Sequence, residues 1–436
     1  METLKIDKLL SFTKREFDKI LDKRGDNKSI SLGDMLQGGL AMFHLKDASL
    51  LKFLERFEKS SGNLLRIYKI GNQFSDTQMR AVLDGVFPFL IQGIKSKLIR
   101  KVETAGYLKD YDYIGGRKLL LIDGVHHHSS ATVNCNYCKV CNHKDGSKTY
   151  SHSMLAGVLA YPGKKVVLPL REEAIVAQDG VSKNDSELRA VSRLLKGIEQ
   201  AYPEMRFIVV EDALYSNGPH IRELLGKGHT YILRVKKGSG AGYVFEQYKN
   251  LLKQGKVTIK ESYEEGVWKV WHYVNDLILN GTHKDIKVNF LHYEERDPLT
   301  GRCLKTFDWI TCIKLTEWTY VKVAKGGRCR WMIENETFNT LKNQGYNFGH
   351  NYGHGFKYLC TNFAFLMMMA FLLDQIQQLC NGTFIKAWTQ QNSKSSLWQD
   401  IRSFFRILPF NSMDMIYKAI IYGINIKYLV IQEDSG

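Results

Sequence analysis

Residues 117–124, RKLLLIDG, and residues 206–212, RFIVVED, are short unbroken apolar runs that each close on an aspartate. A run with no polar alternation suits a strand buried on both faces of a sheet rather than one half in water. Working outward, HSMLAGVLAY (152–161) and KKVVLPL (164–170) read as further buried strands. DSELRAVSRLLKGIEQAY (185–202) has helical spacing and opens with Asp185 as the expected N-cap. PHIRELLGK (219–227) predicts a helix and TYILRVKK (230–237) a strand. Three strands, helix, strand, helix, strand predicts an α/β architecture.

The flanks differ in character. Residues 1–112 show three- and four-residue apolar spacing in FTKREFDKILDKR (12–24) and MLQGGLAMFHLKDASLLKFLERFEK (35–59), which predicts a helical, DNA-binding N-terminal domain. Lys14, Arg15, Lys19, Lys23, Arg24, Lys95, Lys97, Arg100 and Lys101 recur along it and would suit a phosphate backbone or a plain solvated face. Residues 113–238 form the first part of the α/β core. Residues 239–325, with GVWKVWHYV, DIKVNFLHYEE and FDWITCIK, predict a β-rich insertion. Residues 326–380 resume the core, and 381–436 are a C-terminal region suited to oligomerisation or DNA contact.

The 436 residues carry a formal charge of +16 with 44% hydrophobic and 24% charged residues. That composition is globular, and the charge draws the chain towards polyanions. The N-terminus lacks the apolar core of a secretory signal, which predicts a cytoplasmic, nucleoid-associated protein. FAFLMMMAFLL (363–373) is too short to span a bilayer and predicts a buried helix with no membrane partner. No phosphate-binding loop of the GxxxxGK[ST] type occurs.

Asp123 and Asp212 stand at ends of predicted strands, where α/β sheets present ligands. A third acid, Glu334, is expected on a helix. On a wheel of about 100° per residue it falls between Phe338 and Leu341 on the apolar side, with Glu336 opposite. An inward carboxylate is costly without a cation; the simpler explanation is a local ion pair with Arg330. Three carboxylates suit hard divalent cations such as Mg2+ or Mn2+, and two ions can drive in-line displacement at phosphorus.

At these residues a resemblance becomes specific. LLLIDGVHHHSS, KTYSHSMLAGVLAYPGKKVVLPL, QDGVSKNDSELRA, VVEDALYS and RCRWMIENETFNTLKNQGYNFGHNYGHG resemble bacterial insertion-sequence transposases of the DDE class, the group with a β-rich insertion before the last acid. The resemblance implies an RNase H-like catalytic core. It implies Asp123, Asp212 and Glu334 as catalytic residues holding two Mg2+ or Mn2+ ions. Cleavage at element ends and strand transfer into target DNA would follow, with terminal inverted repeats as partners and a homodimer in the DNA complex. The group's helix motif places Tyr, Arg, Glu and Lys at fixed spacing. Arg330 and Glu334 match it, Gly327 stands at the Tyr position, and Lys342 lies one residue beyond the Lys position, which Leu341 fills. Arg330 and Lys342 are the implied DNA contacts.

Two further clusters lie close to Asp123. Cys135, Cys138, Cys141 and His143 offer four soft ligands at short spacing, either a Zn2+ site or reduced thiols on a hairpin. His126, His127 and His128 could contact metal or phosphate, or be partly solvated. Two alternatives to a transposase stay open at this point: a non-catalytic DNA-binding protein, decayed or domesticated, and a structure-specific nuclease with the same core.

Overall fold

A computed structural model describes residues 4–25, 28–176, 186–236 and 242–424. The chain divides into two compact units, Gly106–Thr340 and a second that joins Met1–Ala105 to Leu341–Gly436.

The Gly106–Thr340 unit is built on one mixed ten-stranded sheet. Its strands are β1 (Lys118–Ser130), β2 (Lys139–Asn142), β3 (Lys148–Ala160), β4 (Leu168–Ile175), β5 (Phe207–Glu211), β6 (Thr230–Arg234), β7 (Thr258–Glu264), β8 (Val267–Ile278), β9 (Lys287–Arg296) and β10 (Cys303–Thr311). Their order is β2-β3-β1-β5-β6-β10-β9-β8-β7, with β4 also paired to β3. β3 is antiparallel to both β1 and β4, whereas β1, β5 and β6 run parallel. β2 and β4 share one edge of β3 at different heights, pairing with Lys148–Ser151 and with Ser153–Leu159.

The apolar run of β1 is continuous because both of its faces are covered. On one face, Gly157 lies so close to Leu120 and to Ile198 of the helix Glu187–Ala201 that a Cβ there would sit 3.1 Å from Ile198 Cδ1. On the other, Gly326 and Gly327 bring the helix Tyr320–Arg328 down onto Leu119, Ile232 and Trp309. Ser186 is the N-cap of Glu187–Ala201, accepting from the Arg189 amide; the expected cap, Asp185, lies outside the described residues.

The strands of the expected insertion are not a separate layer. β10 pairs antiparallel with β6 through Ile310 and Leu233, and β9, β8 and β7 follow in a meander, so the segment extends the sheet begun by β1.

The second unit is helical. Its central helix, Leu359–Cys380, contains the expected Phe363–Leu373 run and is buried from Leu359 to Gln377. It is long and apolar enough to cross a membrane, yet its apolar window is wholly buried within the fold. Its polar residues are satisfied internally: Asn362 donates to the carbonyls of Leu83 and Val86 at 2.7 and 2.8 Å, and Asp374 accepts from Lys46 at 2.6 Å. The C-terminal segment forms the helices Gly382–Thr389, Lys394–Ile407 and Met413–Tyr422. These pack on the N-terminal helices, where Asn63 donates to the carbonyls of Phe405 and Leu408, both at 2.7 Å. Several basic residues expected on a phosphate-facing surface are engaged inside this unit. Lys14 pairs with Asp18 and Asp34, Lys19 and Lys97 with Glu16, and Arg24 with Asp22.

Candidate active site

The parallel register of β1 and β5 ends at the pair Leu121 and Val210. Asp123 and Asp212 each follow two residues later, at the point where the β1–β5 pairing has ended. β1 itself does not end there. It runs on to Ser130 paired only with β3, so Asp123 sits where one neighbour departs and a crevice opens. Asp212 begins a 3-10 turn, and its Oδ1 accepts from the Leu214 amide at 2.8 Å. The capping role that a strand-terminal aspartate often has is therefore real here, and it fixes the carboxylate's position.

Arg330 Nη1 donates to Asp123 Oδ2 at 2.6 Å, both side chains being partly exposed. Its partner is thus Asp123 rather than the Glu334 carboxylate four residues on. The Gly124 amide donates to Asp123 Oδ1 at 2.9 Å. Burial pushes the Asp123 carboxyl above the usual aspartate range; Arg330 and the Gly124 amide pull it back, while the charges of Asp212 and Glu187 add to the rise.

Glu187 was not singled out by its sequence. It occupies the first turn of the helix Glu187–Ala201, and its Oε1 lies 2.8 Å from where a Cβ on Gly124 would stand. Tyr215 donates to Glu187 Oε2 at 3.4 Å. The Tyr215 hydroxyl is raised far above the ordinary tyrosine range, first by burial and then by the charges of Glu187, Glu211, Asp212 and Asp123. Glu211, on the other side of β5 from Asp212, is fully buried and bonded to His220 Nε2 at 2.7 Å. Gly124 directly after an apolar strand was the one available signal for Glu187, since it marks a close approach but not by what.

Residues 116–373 match the sequence profile of a family described as "Transposase DDE domain". The chain belongs to this family. No curated protein is significantly similar to it in sequence. A cryo-EM structure of the piggyBac transposase synaptic complex with hairpin DNA aligns over 100% of this chain and 86% of its own, at 11% identity and a TM-score of 0.38, a likeness that carries no argument here.

In this DDE transposase the segment after Arg330 departs from a regular helix. Ile333–Phe338 is a π-helical turn, whose wider winding voids a wheel of about 100° per residue. Glu334 is accordingly exposed and Glu336 half-buried, the reverse of the burial expected from that wheel. The turn packs against β1, and π-turns occur often at functional sites. Lys342 is exposed on Asn339–Asn343, in the other compact unit from Arg330.

Gly327, at the position where the resemblance implies a tyrosine, has a structural cause. A Cβ there would stand 2.5 Å from Nε1 and 2.6 Å from Cε2 of Trp309, whose indole is buried and stacked on Phe307. The Trp309 indole thus fills the space that a side chain at position 327 would need.

The cysteines divide. Cys135 and Cys138 close a tight turn with their Sγ atoms 3.9 Å apart, and His152 Nε2 of β3 lies 3.3 Å from Cys135 Sγ. Cys141 and His143 do not join them, contrary to the four-ligand spacing. Cys141 is exposed on β2 opposite Thr149, and His143 Nε2 is bonded to Thr149 Oγ1 at 2.7 Å. Two residues after Cys138 the chain has already entered the hairpin strand, which carries both away. Of the histidine triplet, His126 Nδ1 meets Ser153 Oγ at 2.7 Å, while a bulge between His126 and His128 turns the adjacent His127 and His128 both inward, their rings 5.9 and 6.1 Å from that of His152.

Proposed function

We propose that this transposase cuts and rejoins DNA with divalent cations, Mg2+ or Mn2+, held by Asp123, Asp212 and Glu334 on an RNase H-like core. The observation that carries the reading is the two carboxylates that follow the end of the parallel β1–β5 pairing, with Arg330 bonded to Asp123. The strand order β4-β3-β1-β5-β6, with two antiparallel pairings followed by two parallel ones, supports the core assignment. Oxygen-only donors at a half-open crevice suit hard cations that keep waters and take phosphate oxygens. Two such ions would activate a water or a 3′-hydroxyl and stabilise the leaving oxygen.

The chain's own groups do the positioning. The Leu214 amide and the Gly124 amide hold Asp212 and Asp123. Arg330 pairs with Asp123 as described, and its planar donors would also suit a DNA phosphate. Lys342 would add a second phosphate contact from its exposed position. In the helical unit, a concave patch with Lys59, Arg402 and Arg406 in its lining, where Asp47 and Glu55 already pair with Arg56 and Lys52, carries a net basic charge suited to phosphate. The DNA partners are the element's terminal inverted repeats and the target, bound by a homodimer in the bacterial nucleoid.

The test is a plasmid carrying the element's own ends, incubated with the full chain in Mg2+ or Mn2+. Asp123→Ala and Asp212→Asn should abolish cleavage while DNA binding persists, because the basic surface and not the metal site supplies affinity. Glu334→Gln should lose activity and Glu336→Gln should keep most of it. Near-parental cleavage by Asp123→Ala would overturn the assignment. Cleavage without joining would favour the nuclease, and binding without cleavage by the parent would favour a non-catalytic DNA-binding protein.

A further inference from the structure

Further along β1 from Asp123, where His128 faces His152 of β3, lies a second cluster of different chemistry. The ligand atoms of Cys135, Cys138 and His152 lie within 4.8 Å of one another. Cys138 and His152 are buried and Cys135 is half-buried. Softness and geometry together identify what such a cluster would hold. For tetrahedral zinc with Zn–S near 2.3 Å and Zn–N near 2.0–2.1 Å, two sulfurs stand about 3.8 Å apart and a sulfur and a nitrogen about 3.6 Å apart. The observed separations are 3.9 Å for Cys135 and Cys138 and 3.3 Å for Cys135 and His152. Both match a shared ion to within a few tenths of an ångström.

The backbone is arranged to the same end. The Cys138 amide donates to the Cys135 carbonyl at 3.1 Å, closing the turn, and the Cys135 amide donates to Cys138 Sγ at 3.4 Å, the kind of bond that stabilises a thiolate. His152 is set by β3, whose register places it opposite His128 of β1.

We propose that Cys135, Cys138 and His152 form the ligand set of a zinc site, with Cys141 and His143 outside it. The ion would pin the loop that follows β1 onto β3, so its binding free energy would contribute to folding around the strand that carries Asp123. It is separate from the catalytic cations, since thiolate and imidazole select zinc whereas the carboxylate crevice selects Mg2+ or Mn2+.

The experiment uses the full chain, purified under reducing conditions with Zn2+ and then exchanged to Co2+. One Zn2+ per chain and, after exchange, a thiolate-to-cobalt charge-transfer band with tetrahedral d–d intensity are expected. Cys138→Ser and His152→Ala should lose the bound metal, and Cys141→Ser and His143→Ala should keep it. Loss of metal in Cys141→Ser, or its retention in His152→Ala, would refute the ligand set. Because His152→Ala could disturb β3, thiol reactivity in the parent gives an independent reading. Cys135 and Cys138 should resist alkylation until a chelator strips the metal, while exposed Cys141 and Cys303 react throughout. A folded, metal-free chain whose Cys135 and Cys138 alkylate freely, or close into a disulfide, would overturn the proposal.

Discussion

Gly327→Ala probes the tightest approach of the helix Tyr320–Arg328, which leads into Arg330, to the sheet. The added methyl would stand 2.5–2.6 Å from the Trp309 indole, which is buried, stacked on Phe307 and held by the pairing of β10 with β6 and β9. Ordinary carbon contacts need about 3.5–4.0 Å, so helix and sheet must part by roughly 1 Å. Overpacking of this kind costs about 1–3 kcal/mol, against which alanine returns about 1 kcal/mol of helix propensity. The net loss of stability is therefore at most about 2 kcal/mol. Activity should suffer more. Arg330 lies three residues on and bonds Asp123 at 2.6 Å, and a shift of about 1 Å near reacting groups costs on the order of 100-fold in rate. Urea denaturation and the rate of plasmid-end cleavage would be measured side by side. A Trp309→Leu background should remove most of the alanine penalty, as expected of two groups in contact. A Gly327→Ala protein as active as the parent and about 1 kcal/mol more stable, the outcome of propensity alone, would refute the close approach.

Two further outcomes concern titration. Arg330 is the largest influence opposing the burial that raises Asp123, so Arg330→Gln should let Asp123 hold its proton to higher pH. The acid limb of the cleavage profile should then move to higher pH and return with Arg330→Lys; an unmoved limb would remove Arg330 from the site. His229 is buried, accepts from the Phe207 amide at Nδ1, and is lowered by burial from 6.5 to about 4. The neutral ring belongs to the fold, so its contribution is present above pH 6.5 and is lost as pH falls through about 4, roughly 3 kcal/mol in all. His229→Asn should flatten the fall in urea midpoint across that window, and an unchanged slope would show that another group governs it.

Local chemistry alone located the two buried strands that lead to Asp123 and Asp212. An unbroken apolar run suits a strand covered on both faces, although the cover extends past the second run over Glu211 and ends only at Asp212. Buried Leu119–Ile122 and Phe207–Val210 bear that out, and so do the helix before β5 and the strand after it. The same logic failed wherever a partner arrives from far along the chain. Glu187 reaches Gly124 because Glu187–Ala201 crosses the sheet, and β10 extends the sheet because an edge left open by β6 must find a partner. The wheel for Glu334 assumed a regular helix, and a π-turn decided by packing against β1 changed its phase. Cysteine spacing suggested four neighbours in sequence, whereas the hairpin carried Cys141 and His143 off and brought in His152 from the next strand. Residue spacing fixes what a segment can bury, because burial depends on period; which side chains meet across segments depends on register and crossing, and only the tertiary structure sets those.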